Sequence, residues 1–303
     1  MQPLTLLCRL QKKLLGQSRF VFRPWHDTAV AILSIVQEQA GQFWKLREGC
    51  CRGGEEAQSA MYSWGGASNG ELGVGGLEDA YVSSPTPTVW PLGTKVTDIA
   101  PGGRHTLILA GGGELFSCGS NDFGQLGREG SQTRLELVSG LGQYKVVSAT
   151  CGANHSLAVD QWGSLFSWGS DESGQLGHNQ GCATLRVPRL VKSLGTVKVV
   201  AVAAGLYHSA ALTAGGQLYT WGANSKGQLG LGTSTDMVFS PTLVESLTGV
   251  PLAGVACGGN HTLVVTVSGA VFAFGSNNHG QLGLGDLSDR RWPTQISTLR
   301  NLR

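Results

Sequence analysis

Residues 152–177 read GANHSLAVDQWGSLFSWGSDESGQLG, and the stretch recurs along the chain. Its landmarks are a Gly-x-x-His step followed by Ser or Thr, a Gly turn, an aromatic, a residue before Gly, and a closing GQLG. Counting from His105, His155, His208 and His261, an aromatic falls eleven positions on in every copy, at Phe116, Phe166, Tyr219 and Phe272. Thirteen positions on stand Cys118, Trp168, Trp221 and Phe274, and nineteen on stands the first Gly of GQLG, at Gly124, Gly174, Gly227 and Gly280. A leading half-copy, Trp64-Gly65 with Gly70-Glu71-Leu72-Gly73, precedes them. Units starting near 64, 118, 168, 221 and 274 are thus 54, 50, 53 and 53 residues long. A fixed period in this range marks a blade-by-blade or solenoid architecture. Function must then belong to an assembled array.

Within a unit, alternation predicts short strands. Val147, Ala149 and Cys151 lead into Gly152, Leu157 and Val159 follow the His, and Leu165 and Phe166 precede Trp168. The other copies repeat this period-two pattern. After GQLG comes a loop of variable length containing Pro188, Pro241 or Pro293, then a further short segment. Four strands per unit make one propeller blade, so the fold class is all-β, with about four and a half blades present. The array is assigned to 61–303.

Residues 1–60 stand apart as a non-repeat extension expected to be poorly ordered. Arg9, Lys12, Lys13, Arg19 and Arg23 with interleaved leucines give 1–26 some likeness to a mitochondrial presequence. The stretch 28–47, with Ile32, Ile35, Val36, Phe43 and Trp44, is expected to be helical.

Composition excludes several function classes. No stretch reaches the roughly 18 apolar residues of a membrane span. Lys and Arg number 22 against 20 Asp and Glu, a balance without the strongly basic footprint of a direct nucleic-acid binder. Seven Cys show no paired spacing in the repeats, and Cys151 and Cys257 occupy the strand position of Ala204 and Pro101. They read as small apolar residues of a reducing compartment, and the cytoplasm is the expected location, with the nucleus as alternative.

The Trp-Gly, GQLG and Gly-x-x-His-Ser/Thr landmarks resemble the repeat of the regulator of chromosome condensation family over 64–303. Met61-x-x-Trp64-Gly65, Val187-Pro188, Lys192-Ser193-Leu194 and Tyr207-His208-Ser209 are similar in particular to the amino-terminal (RLD) propeller of the small HERC ubiquitin ligases. The resemblance implies a seven-bladed ring, which at this period needs roughly 370 residues, and a separate HECT domain carrying the catalytic Cys. No HECT domain is expected within these residues. Missing blades or chaperones are expected to be needed for stability, because the strands near Trp64 and Thr294–Leu299 would lack ring partners.

The four His residues come from equivalent places in different blades, so they do not converge on one metal ion. Each imidazole is expected to hydrogen-bond backbone and tie neighbouring strands together. Trp64, Trp168 and Trp221 and the GQLG glycines likewise read as architecture. No P-loop or G-x-S-x-G elbow occurs, and neither catalytic residue, metal nor cofactor is expected. Polar loop residues that differ between copies are the candidate interaction residues: Arg128, Arg134, His178, Asp236, Arg290, Arg291 and Trp292. The expected partners are other proteins, whether substrates of a ligase or, under the alternative reading of a nucleotide exchange factor, a Ran-like small GTPase. Near-uniform unit lengths leave no room in these blades for the wedge that the founding exchange factor inserts.

Overall fold

A computed structural model describes residues 19–22, 31–35, 60–75, 80–88, 95–179 and 184–299, with side chains from Met61 onward. These residues form five antiparallel sheets of four strands, each a meander of neighbours in sequence. The first sheet comprises β1 (Arg19–Phe22), β2 (Ala31–Ile35), β3 (Ala60–Gly66) and β4 (Tyr81–Thr88). The second holds β5 (Val96–Pro101), β6 (His105–Ala110), β7 (Leu115–Gly119) and β8 (Glu136–Leu137). The third holds β9 (Val146–Cys151), β10 (His155–Asp160), β11 (Leu165–Ser170) and β12 (Thr184–Leu190). The fourth holds β13 (Val199–Ala204), β14 (His208–Thr213), β15 (Leu218–Ala223) and β16 (Met237–Leu243). The fifth holds β17 (Leu252–Cys257), β18 (His261–Thr266), β19 (Val271–Gly275) and β20 (Arg290–Gln295). The result is an incomplete propeller whose sheets do not close a ring.

The Trp-Gly landmark marks a break in register between the third and outer strands of a blade, between Ser167 and Gly169 in the third sheet and Thr220 and Gly222 in the fourth. Gly169 sits there at φ +105, where a Cβ would lie 2.4 Å from the Asn154 carbonyl oxygen. Only glycine tolerates both the left-handed backbone and that approach.

Blades join face to face. The first strands β5, β9, β13 and β17 neighbour one another in turn. Successive residues of an inner strand therefore pack alternately against the blades on its two sides, Ala158 toward the second and Leu157 and Val159 toward the fourth, and the core is a series of joints. Leu157, Val159 and Leu165 of the third sheet meet Ala204, Ala211 and Trp221 of the fourth. Ala210, Leu212 and Leu218 of the fourth meet Val264 and Phe274 of the fifth. Trp168 and Trp221 are fully buried in these joints. At about 25 cal/mol per Å² over about 200 Å², each contributes on the order of 5 kcal/mol before entropy.

Three expectations need correction. Ala31–Ile35, assigned to a helix over 28–47, is a strand paired with β3 from Ala31 opposite Trp64 to Ile35 opposite Ala60. The pairing supplies β3 with the second neighbour that a buried backbone demands, which outweighs weak helical periodicity. The rest of that stretch lies outside the described residues, as does 1–26 apart from β1. The strand near Trp64 was expected to lack partners, yet it pairs on both sides, and β20 pairs with β19. The strand ladders run within blades, so an absent neighbour exposes a face and leaves the ladder intact. Finally, the units counted from Trp64 straddle two blades, since the first strand of each later blade begins 22 residues before the landmark residue, as Val146 does before Trp168 and Val199 before Trp221.

Candidate functional site

The repeated polar residues meet at the joints. His105 lies in the second blade and its Nε2 is 2.9 Å from Ser156 Oγ of the third. The same hydroxyl donates to the Gln125 carbonyl of the second blade at 2.9 Å. With the hydroxyl proton committed there, Nε2 of His105 must carry its own proton and donate to Ser156. Trp168 Nε1 donates to that Gln125 carbonyl as well, at 2.9 Å. The next joint repeats this with His155, Ser209, Gln175 and Trp221 at 3.0, 2.8 and 2.9 Å. The next uses His208, Thr262 and Gln228 at 3.0 and 2.8 Å, with Phe274 in the tryptophan place. The first joint has Thr106 Oγ1 donating to the Glu71 carbonyl at 2.8 Å. The imidazoles thus bond a hydroxyl of the next blade, where backbone of their own had been expected.

These histidines are neutral. Burial pushes His105, His155 and His208 down to about 3, helped for the latter two by neighbouring imidazoles of the same series. Nδ1 of each is buried without a hydrogen-bond partner. A Cβ on Gly152 would fall 2.3 Å from His155 Nδ1, so the glycine three positions ahead makes room for the ring. Among the described residues, no group of three or more His, Cys, Asp or Glu could hold a metal ion.

GQLG serves the same joint. Asn121 Oδ1 accepts the Leu126 N–H at 3.1 Å and Gln125 Oε1 accepts the Phe123 N–H at 2.9 Å, which fixes the loop and aims the Gln125 carbonyl outward. The second glycine of the motif, Gly127, sits at φ +67, and a Cβ there would be 2.7 Å from Trp168 Nε1. Gly124, Gly174, Gly227 and Gly280 all adopt positive φ, between 73 and 78.

The variable loop residues divide. Arg128 is only 5% exposed. Its guanidinium donates to Ser117 Oγ at 3.0 Å, the Ser117 carbonyl at 2.6 Å, the Ser131 carbonyl at 2.8 Å and Glu136 Oε2 at 2.9 Å. It organises its own loop and is not available to a partner, a correction that follows from the need to satisfy five donors in a buried place. His178 occupies the equivalent position one blade on and donates from Nε2 to Ser167 Oγ at 3.0 Å, since that hydroxyl is committed to the Leu176 carbonyl. Burial first, then Arg189, lowers it to about 4. Arg134 and Asp236 are exposed, on different blades.

Arg290, Arg291 and Trp292 lie together on β20. Arg290 pairs with Asp286, and Arg291 Nη1 donates to the Thr233 carbonyl of the preceding blade at 3.0 Å. Trp292 covers Gly232, where a Cβ would overlap its ring, yet remains 55% exposed. The structure does not gather the seven candidates into one site. Sequence reasoning passed over Arg186 and Phe239, which occupy the place of Arg291 over Gly124 and Gly174. Their signal was present: all three stand two positions before Pro188, Pro241 and Pro293.

The RCC1-like domain model matches residues 60–303, the span that carries every joint described above. The chain belongs to that family. It is 48% identical over 241 residues to the probable E3 ubiquitin-protein ligase HERC4 of Rattus norvegicus, covering 80% of this chain and 23% of that protein. The human HERC3, also named a probable E3 ubiquitin-protein ligase, is 45% identical over 240 residues, or 79% of this chain and 23% of its own length. The chain therefore spans about a quarter of these relatives. Among solved structures, Prp20p of Saccharomyces cerevisiae, whose study concerned its binding to Gsp1p and histones, superposes with a TM-score of 0.68 at 25% identity, covering 78% of this chain and 59% of that one. Human WBSCR16 shares the fold with a TM-score of 0.76 at 24% identity, over 93% of this chain and 68% of that one.

Proposed function

We propose that this chain is the partner-recruiting propeller of a HERC-type ubiquitin ligase, contributing protein binding and no transfer chemistry of its own. The observation that carries the reading is the 48% identity to the propeller region of HERC4. Two features of the joints support it. The repeated His, Ser, Thr and Trp are consumed by blade packing, so the residues that differ between blades carry recognition. The Cys118 thiol, pushed up to about 12 chiefly by burial, is unsuited to accept ubiquitin as a thiolate.

Recruitment is tested by affinity capture from cell extract with the wild type and an Arg291→Ala/Trp292→Ala variant. The expected result is a set of proteins lost selectively from the variant. Identical captures from both would remove β20 from the interface. A transthiolation assay with charged E2 should leave all seven Cys unmodified, and a reducible ubiquitin adduct would overturn the proposal.

The second reading, exchange on a Ran-like GTPase, rests on the likeness to Prp20p. It is disfavoured by the connections from third to outer strand, which run 120–135, 171–183, 224–236 and 276–289 and leave no insertion of the wedge kind. Release of a fluorescent nucleotide should not accelerate; a tenfold increase, about 1.4 kcal/mol off the barrier, would revive exchange. The cytoplasm is the proposed location, and enrichment in a mitochondrial fraction would refute it.

A further inference from the structure

The hairpin ends of the second, third and fourth blades carry side chains that blade packing does not use. A pocket of about 270 Å³ opens in the second blade, lined among others by Leu137, Leu141, Tyr144, Glu114 and Lys145. Tyr144 is braced by Phe166 of the third blade, ring centroids 4.6 Å apart, and Leu137 stands 41% exposed. Pockets for whole small molecules begin at about 300 Å³, so this one suits a single apolar side chain. Lys145 is pinned through its backbone. Its carbonyl accepts the Gln161 N–H at 2.9 Å, and the adjoining Val146 N–H donates to the Gly113 carbonyl of the second blade at 3.0 Å. Gly113 makes room for the lysine stem, since a Cβ there would lie 2.5 Å from Lys145 Cγ. Lys198 repeats the arrangement one joint on, with its carbonyl accepting the Ala214 N–H at 2.8 Å and its Cγ 2.5 Å from a Cβ on Gly163. In the next joint Pro251 takes the lysine's place. Both lysines are exposed, and neither forms an ion pair among the described residues. The hairpin that links them, 161–163, presents Trp162 at 62% exposure. Buried Asp160 fixes this hairpin by accepting the Trp162 and Ser164 N–H groups at 2.9 and 2.8 Å. The other blades place Gly112, Gly215 and Ser268 there, so the fold does not require an indole. Lys145, Trp162 and Lys198 lie at joints whose two blades are both described, and their exposure owes nothing to the ends of the array.

From this geometry we propose that the hairpin end of these three blades docks an acidic, extended segment of a partner protein. One apolar side chain of the segment enters the pocket beside Leu137 and Tyr144, and its carboxylates reach Lys145 and Lys198. Charge decides the class of partner. The carboxylate of Glu114 folds back over Gly112, where a Cβ would lie 2.4 Å from Glu114 Oε2, and Asp160 is committed to its hairpin, so the exposed ammonium groups await an outside anion. Stems already seated against glycine lose less freedom on binding than free lysines do. Trp162 adds the amphipathic ring that is enriched where proteins meet. A phosphodiester chain would find the same charges and leave the pocket empty. The inference rests on the protein-binding reading above and assigns it a surface apart from β20 of the fifth blade.

An array of short peptides, each with a central Leu, Phe or Trp or an Ala control and a graded number of flanking Asp and Glu, is probed with the 303-residue chain. Signal should rise with acid content and require the large central residue. Fluorescence anisotropy with the best peptide then compares variants. Lys145→Glu with Lys198→Glu should weaken binding roughly tenfold or more, and more salt should weaken the wild type toward the same level. Should that pair not fold, Lys145→Gln with Lys198→Gln keeps the stems and should still weaken binding several-fold. Leu137→Asp should abolish the preference for a large central residue, and Trp162→Gly, which installs the residue of the second and fourth blades, should weaken binding without lowering the melting temperature. Lys226→Glu, at the opposite end of its blade, should change nothing. An array with no bound peptide, binding indifferent to the central residue, or equal affinity in the lysine variants overturns the inference. So does tighter, lysine-dependent binding of a single-stranded oligonucleotide or of phosphatidylserine vesicles, which would assign the face to phosphate. Any of these results leaves capture through β20 to be judged by its own variant.

Discussion

Acid should unfold this propeller earlier than its carboxylates alone would require, because three joint histidines are held neutral. His105, His155 and His208 have folded values pushed down to about 3 against an ordinary 6.5. The sign follows from which state binds the proton. Below the unfolded value the unfolded chain takes up protons that the folded chain refuses, so the stability is full above 6.5 and is lost as pH falls toward 3. Between pH 7 and pH 5 each histidine costs about 2 kcal/mol, and the three together about 6 kcal/mol, comparable to the whole stability of many domains. In the steep range the slope is about 4 kcal/mol per pH unit from these three groups. Urea unfolding at pH 7, 6, 5 and 4 measures it in wild type and in His155→Gln, which keeps an N–H for Ser209 and cannot titrate. The variant should be less stable at pH 7 yet have a slope shallower by about 1.4 kcal/mol per pH unit. Equal slopes for the two proteins would refute the claim that His155 is held neutral in the fold.

Other perturbations separate the parts of a joint. Gly127→Ala combines a left-handed backbone with a Cβ 2.7 Å from the Trp168 indole and should cost about 3 kcal/mol, whereas Gly249→Ala, at φ +83 with nothing within 4 Å, should cost about 1 kcal/mol. Similar losses in urea titrations of the two would contradict the close-approach argument. Ser156→Ala leaves the His105 Nε2–H buried without an acceptor, a loss of about 1–3 kcal/mol, while Ser156→Thr should be tolerated because Thr262 fills the same role one joint on. Trp168→Phe should cost about 1–2 kcal/mol, since Phe274 occupies that place in the last blade, and Trp168→Ala about 3–5 kcal/mol. Thermal melts that rank these two in the opposite order would refute the claim that ring volume fills this joint.

Strand positions, blade type and the buried landmarks were legible in the chain because a repeat converts one reading into four independent ones. A period-two pattern that returns beside the same His, aromatic and GQLG leaves little freedom for any other local structure. The roles within the landmarks were legible only in part. Gly127 reads as a turn glycine from its motif, but that its hydrogen makes room for a tryptophan forty-one residues later follows from the packing of one blade on the next. His105 reads as structural from its spacing, yet its partner, Ser156, belongs to another blade. Arg128 looked like a surface loop residue until the loop was seen to fold around it.

What the amino-acid order determines by itself is the blade: local alternation, turns and bulges arise between residues close in sequence, where backbone sterics and hydrogen-bond satisfaction decide. What only the tertiary structure decides is the joint, where side chains about fifty residues apart share one carbonyl or one hydroxyl, and with it which faces are covered and which stand open. The two strands drawn from the first thirty-five residues show the difference. Their own alternation is too short to announce them, and they become strands because β3 offers an edge whose backbone groups must be paired.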